Sequence, residues 1–215
     1  MAKLASKPVT RRAAVGAAFA FGAPFLIANN AHSAPAPGQK APDFKATDLS
    51  GKAVSLADFK GKTVVLEWVN PGCPFVRKHY NGGNMPATQK DALAKGAVWL
   101  AISTTEREHP DWLSPSQLAR WQAEKGSAPS ATLLDEDGEI GRAYGARTTP
   151  HMYIVSPQGM LVYAGGIDSI PSARADDIAR ATNYIKQAMS EVAAGKTISV
   201  ATSRPYGCSV KYKAA

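Results

Sequence analysis

Residues 63–79, TVVLEWVNPGCPFVRKH, constrain the chain more than any other stretch, because they read as a buried strand, a turn and a helix start with a thiol at the junction. Residues 63–69 are dense in β-branched and aromatic side chains, the composition of a central strand covered on both faces. Asn70, Pro71 and Gly72 break the strand, and Pro74 takes the first helical position, where its missing N–H is no loss. Cys73 therefore stands at a helix N-terminus. Unpaired N–H groups and the positive end of the helix dipole favour a thiolate there over a thiol, whose ordinary pKa of about 8.5 leaves it mostly protonated at neutral pH. The stretch predicts a reactive cysteine rather than an inert buried one.

A strand ending in a tryptophan-containing run, then a turn, then Cys-Pro at a helix start, resembles the thioredoxin superfamily. Glu67, six residues before Cys73, stands where that superfamily carries a buried carboxylate that accepts and donates the proton of the second active-site thiol. Thr148, Thr149 and Pro150 precede a strand-like run at 151–156, as does the cis-proline that faces the active cysteine in such proteins. Ala41-Pro42-Asp43-Phe44, then Leu49-Ser50-Gly51-Lys52 and Val54-Ser55-Leu56, are similar to the N-terminal region of the redoxin branch. That branch holds the alkyl hydroperoxide reductase and thiol-specific antioxidant proteins and the periplasmic thiol-disulfide reductases. The resemblance spans residues 37–192. It implies an α/β, thioredoxin-like fold, with a central mixed sheet flanked by helices, an N-terminal hairpin extension and a C-terminal tail.

Two departures bear on the reaction. The usual Cys-x-x-Cys pair is Cys73-Pro74-Phe75-Val76 here, so the neighbouring thiol is missing. A peroxiredoxin would carry Pro-x-x-x-Thr-x-x-Cys, yet Leu66 and Asn70 hold the proline and threonine positions. Cys208 is the only other cysteine, and a distant resolving cysteine is familiar among redoxin proteins.

The chain of 215 residues carries a formal charge of +8. Lys3, Lys7, Arg11 and Arg12 belong to a segment that reads as an export signal, and removing them takes +8 to +4. With no basic stripe interleaved with aromatics, no nucleic-acid partner is expected. Residues 1–36 combine a basic start, an apolar run at 13–28 and small residues around Ala31, Ser33 and Ala34. Thr10-Arg11-Arg12 before an alanine-rich run resembles a twin-arginine signal, and ordinary secretion also fits. The apolar run falls short of the roughly twenty residues that span a bilayer, so cleavage and a periplasmic mature protein are expected, with no stable membrane insertion.

The expected layout is a signal at 1–36, a redoxin domain at 37–195 and a tail at 196–215 that carries Cys208. Residues 35–42 read as a proline- and alanine-rich linker, followed by a hairpin up to Leu56. The helix after Cys73 is expected to break at Asn81-Gly82-Gly83 and resume over 86–95. Strands are expected at 97–103, 131–134, 152–155 and 160–164, short helices at 114–125 and 138–144, and a polar loop at 104–113 on the rim of the site. One long last helix is predicted over 174–192, with Ile178, Ala181, Ile185, Ala188 and Val192 on its buried face and Gly195 ending it. A strand is expected within 197–202.

The lead expectation is an exported thiol oxidoreductase in which Cys73 attacks a protein disulfide or a peroxide, Cys208 resolves, and an external thiol reductant reopens the pair without a cofactor. Glu67 is expected to shuttle a proton, its alternative being a carboxylate paired with a lysine. Thr149 and Pro150 are expected to face the substrate, and Arg77 either to steady the thiolate or to lie in solvent. Two other possibilities stand beside this: a copper-binding module using Cys73, His79 and possibly Cys208, and a scaffold with a permanent Cys73–Cys208 bridge. A surface position is the plainer expectation for His79.

Overall fold

A computed structural model of the chain describes residues 1–2 and 34–214. The predicted export signal lies almost wholly outside the described residues. Residues 34–214 belong to one compact unit, with the tail part of it.

The sheet has seven strands in the order β2-β1-β5-β4-β3-β7-β8. Its centre is β3 (Val64–Trp68), parallel to β4 (Val98–Ser103), which is parallel to β5 (Ala131–Leu134). On the other side of β3, β7 (His151–Val155) and β8 (Leu161–Gly165) run antiparallel. The expected hairpin, β1 (Lys45–Asp48) and β2 (Ala53–Ser55), extends the sheet by pairing antiparallel with β5. The sheet is therefore mixed, and all five residues of β3 are buried.

Alternation along β3 sends Val64, Leu66 and Trp68 into one core and Val65 and Val69 into the other. The first core packs under α4 (Glu139–Tyr144), where Tyr153 meets Trp68 and Tyr144 edge on. The second packs under α1 (Pro74–Asn81), α2 (Asn84–Ala94) and α5 (Tyr184–Ala193), with the ring of Trp121 of α3 (Pro115–Glu124) tilted against that of Tyr80 at 4.5 Å between ring centres. Burying each large apolar side chain contributes about 1.5–3 kcal/mol, which is what holds a sheet covered on both faces. Glu67 belongs to the second face and is fully buried in it.

Three expectations need correction. Residues 174–192 do not form one helix: a 3-10 turn, Ala175–Arg180, is followed by an extended Ala181, and α5 begins only after Asn183. The Asn183 side-chain oxygen caps Ile185 and Lys186 N–H groups, while its amide nitrogen donates to Asn84 and Thr88 on α2. An asparagine that satisfies helix-start donors and a neighbouring helix at once sets the boundary there. The buried stripe is accordingly Ile185, Ala188 and Met189, while Ile178 instead lies against Gly82. Next, the supposed linker is bound to the sheet edge: Gly38 N–H donates to Leu161, and Leu161 N–H to Gln39. Lastly, residues 197–202 form no strand beyond a single bridge from Thr202 to Ala164.

Candidate active site

The turn after β3 is tied down by its own polar groups. Asn70 Oδ1 accepts the Gly72 N–H at 2.7 Å, the Asn70 carbonyl accepts Cys73 N–H, and Asn70 Nδ2 donates to Asp111 Oδ2 at 3.0 Å. Gly72 fits because a Cβ there would lie 2.7 Å from the Asp111 carboxyl carbon. Cys73 is the N-cap of α1, with Pro74 in the first turn, as the sequence predicts. The thiol is 1% exposed and donates to the Thr149 carbonyl at 3.0 Å. The Thr149–Pro150 peptide is cis, as the resemblance implies.

The second cysteine arrives from the far end of the chain. β6 (Thr148–Thr149) pairs antiparallel with β9 (Cys208–Ser209), Thr149 opposite Cys208. This brings Cys208 beside Cys73, near enough for each thiol to change the other's acidity. Both are free thiols.

Their acidities are driven apart. Burial resists ionisation of Cys73, but the Cys208 thiol, the Thr149 hydroxyl and the N–H groups of Val76 and Cys208 together bring its pKa below the ordinary value. Burial and the neighbouring Cys73 sulfur push Cys208 up to about 11. Cys73 is therefore the thiol that ionises first. The Thr149 hydroxyl is buried without a hydrogen-bond partner while Cys73 is a thiol, yet it lies close enough to favour the thiolate. A thiolate at Cys73 supplies the acceptor this hydroxyl lacks. Thr149→Val should therefore raise the Cys73 pKa, read as the pH dependence of ultraviolet thiolate absorbance; an unchanged midpoint would exclude the hydroxyl from the site.

Glu67 is not paired with a lysine. Its carboxylate accepts from Tyr80 Oη at 2.8 Å, Trp99 Nε1 at 2.8 Å and Gln89 Nε2 at 3.1 Å. Burial raises its pKa to about 7 against the pull of those three donors. It makes no hydrogen bond to either thiol, among the described residues.

Arg77 is exposed and donates through Nε to the Pro71 carbonyl at 2.9 Å, so it braces the turn and not the sulfur. It lines a cleft of about 570 Å³ together with Pro71, Gly72, Asp111 and Trp121. The polar loop supplies part of that rim through Pro110, Asp111 and Leu113, as expected.

His79 is not on the surface. It is fully buried, with Nε2 at 3.0 Å from Tyr206 Oη and Nδ1 at 2.8 Å from Asn84 Nδ2. With both ring nitrogens engaged it has no lone pair to give a copper ion, and among the described residues no three His, Cys, Asp or Glu side chains cluster to hold a metal. The sequence reading missed Lys78, Asp168 and Tyr206, which surround His79. Lys78 and Asp168 stand ninety residues apart with no local pattern to join them. Gly207, directly before Cys208, was the one legible sign that backbone runs close to something there.

Sheet order, cysteine at a helix start, cis-proline and a second thiol facing the first define a thioredoxin-fold, thiol-dependent oxidoreductase. Residues 37–164 match the AhpC/TSA family, and the chain belongs to it. It is 32% identical over 124 residues to thioredoxin-like protein YneN of Bacillus subtilis, covering 58% of this chain and 68% of that one. It is 28% identical over 132 residues to thiol-disulfide oxidoreductase ResA of Bacillus thuringiensis, covering 58% and 66%. The chain thus spans about two thirds of the length of these relatives. Among solved structures, an uncharacterized conserved protein of Geobacillus kaustophilus superposes with a TM-score of 0.69 at 27% identity, over 84% of this chain and 94% of that one. A protein of Sinorhizobium meliloti, SMc02350, shares the fold at 22% identity, TM-score 0.69, over 85% and 98%. Among the described residues, no helix is long and apolar enough to cross a membrane.

Proposed function

We propose that the chain is an exported, periplasmic thiol-disulfide oxidoreductase in which Cys73 attacks a protein disulfide and Cys208 resolves the product. The Cys73 thiolate bonds to one sulfur of the substrate and expels the other as a thiolate, giving a mixed disulfide. Cys208, deprotonated, then attacks the Cys73 sulfur, and the second substrate sulfur leaves. Two electrons have passed to the substrate, and the Cys73–Cys208 disulfide awaits an external thiol reductant. Glu67, poised near neutrality in the same core as Cys73, takes up the proton that leaves the pair. Thr149 presents its carbonyl and hydroxyl to the reacting sulfur beside Pro150, and Arg77 holds the turn and the cleft wall.

One observation carries this reading: the register of β6 and β9 puts a thiol opposite Thr149, replacing the partner that Cys-x-x-Cys would supply. A disulfide is favoured over a peroxide as oxidant because Asn70 stands where a peroxiredoxin has threonine, and its amide is consumed by Gly72 and Asp111. The test is intact-mass analysis of the reduced protein after brief exposure to one equivalent of a disulfide-bonded protein or of hydrogen peroxide, with thiols then blocked. Loss of two hydrogens, mapped to Cys73 joined to Cys208, is expected with the disulfide. Thiols that stay reduced with the disulfide but close with peroxide would make the protein a peroxidase.

A further inference from the structure

The tail does more than carry a thiol. Tyr206 is buried, its ring 5.8 Å from that of Phe75 in the first turn of α1. Its hydroxyl enters a polar chain whose direction is fixed. The Asn183 side-chain oxygen is taken by the backbone of α5, so its amide nitrogen donates to Asn84 Oδ1 at 3.2 Å. Asn84 must then turn its own amide nitrogen to His79 Nδ1, which leaves the ring proton on Nε2, donated to Tyr206 Oη. Tyr206 in turn donates to Asp168 Oδ1, and Lys78 Nζ, fully buried, closes the network 3.5 Å from Asp168 Oδ2. Next to this anchor, Gly207 adopts φ +138°, and a Cβ on it would lie 2.0 Å from the Thr149 carbonyl oxygen. Beyond Cys208 the tail is held further: Val210 N–H donates to Arg147, next to β6, and Lys211 accepts from Glu106 N–H in the loop after β4.

Among the described residues, β6 has no strand partner other than β9. If the tail leaves, the Thr148–Thr149 edge loses its only ladder, and an unpaired edge beside a reactive thiol is a template for an extended peptide. With the tail in place, Cys73 is 1% exposed.

We propose that residues 206–210 are a built-in competitor for polypeptide substrate: docked, they occupy the Thr148–Thr149 edge and cover Cys73, and a disulfide-bearing segment reacts only after displacing them. This rests on the disulfide-exchange reading and adds a cycle to it. The substrate strand displaces the tail, Cys73 forms the mixed disulfide, and the returning tail delivers Cys208 to the Cys73 sulfur while evicting the reduced substrate from the edge. Tyr206 and Gly207 set the balance, Tyr206 as anchor and Gly207 as the only residue that fits so close to the Thr149 carbonyl.

The test uses the full chain carrying Cys208→Ser, so that the first step alone is read, with and without Gly207→Ala. Two rates are measured: alkylation of Cys73 by iodoacetamide, which reports cover whatever the oxidant, and capture of an extended peptide bearing an activated disulfide. Gly207→Ala should raise both at least tenfold, and a synthetic peptide of residues 201–213 with serine at 208 should return alkylation to the parent rate. Tyr206→Phe, which keeps the ring and the backbone fit, should raise both in the same direction by less, and carries the test if Gly207→Ala does not fold. Unchanged alkylation in both variants, faster alkylation without faster peptide capture, or no protection by the added peptide overturns the proposal. Failure of every variant, the parent included, to capture the peptide at all sinks the disulfide-exchange reading itself.

Discussion

Replacing Cys73 by serine is expected to reduce thiol-dependent turnover by on the order of 10³-fold or more, while replacing Cys208 by serine stops the cycle one step later, with a mixed disulfide accumulating on Cys73. The asymmetry follows from the site. Cys73 is held at a helix start with a lowered pKa, so it ionises ahead of Cys208. Cys208 has its pKa pushed up to about 11, a poor attacker on a free substrate. In the proposed cycle it acts because β-pairing opposite Thr149 keeps it beside Cys73, turning a bimolecular step into an intramolecular one. Mass analysis after acid quenching should find substrate joined to Cys73 in Cys208→Ser and nowhere in Cys73→Ser. If Cys73→Ser keeps full activity, or if substrate is trapped on Cys208, the assignment of nucleophile and resolver is wrong.

The second large effect is on stability. Glu67 has its pKa raised by burial from 4.5 to about 7. Below about pH 4.5 it is protonated in both folded and unfolded chains; between there and about pH 7 the folded protein keeps a proton that the unfolded chain has released. Stability from this group therefore falls as pH rises through that window, by about 3 kcal/mol in all. Glu67→Gln removes the ionisation and turns an amide N–H₂ toward neighbours that all donate to Glu67, so a pH-independent cost of about 1 kcal/mol is expected. Urea unfolding across the pH range should show the difference between the proteins moving by about 3 kcal/mol toward the variant from acid to neutral pH. His79 and His151, buried and with pKa values lowered to about 4 and about 3, act with the opposite sign, their stabilisation being lost as pH falls below 6.5. They are present in both proteins and cancel in the difference. Parallel pH profiles would mean that Glu67 ionises normally in the fold.

Local chemistry made much of the fold legible. A β-branched run, a turn and Pro74 are enough to place Cys73 at a helix start, and β4, β5, β7 and β8 each follow a short apolar run bounded by turn residues. Where the reading failed, the decisive partner was distant. The 174–192 periodicity looks helical throughout, but Asn183 meets Asn84 and Thr88 from a helix nearly a hundred residues earlier, and that contact splits it. Residues 35–42 have the composition of a linker because a segment that pairs through backbone N–H and C=O groups needs no side-chain signature. For Glu67 the sequence announced burial but not the three neutral donors, which come from α1, α2 and β4.

What the sequence by itself determined is the placement of Cys73 at a helix start, which follows from patterns within a few residues of it, whereas Glu67 on β3 and Pro150 before β7 were singled out by the resemblance. Only the tertiary structure brought Cys208 beside Cys73, because the path of the tail is set by Tyr206 reaching Asp168 and by Gly207 lying against the Thr149 carbonyl. It also withdrew His79 from metal chemistry by occupying both of its nitrogens. Propensity and capping act within a turn of the chain, whereas a hydrogen bond to a buried charge is indifferent to sequence separation; the first can be read along the chain and the second cannot.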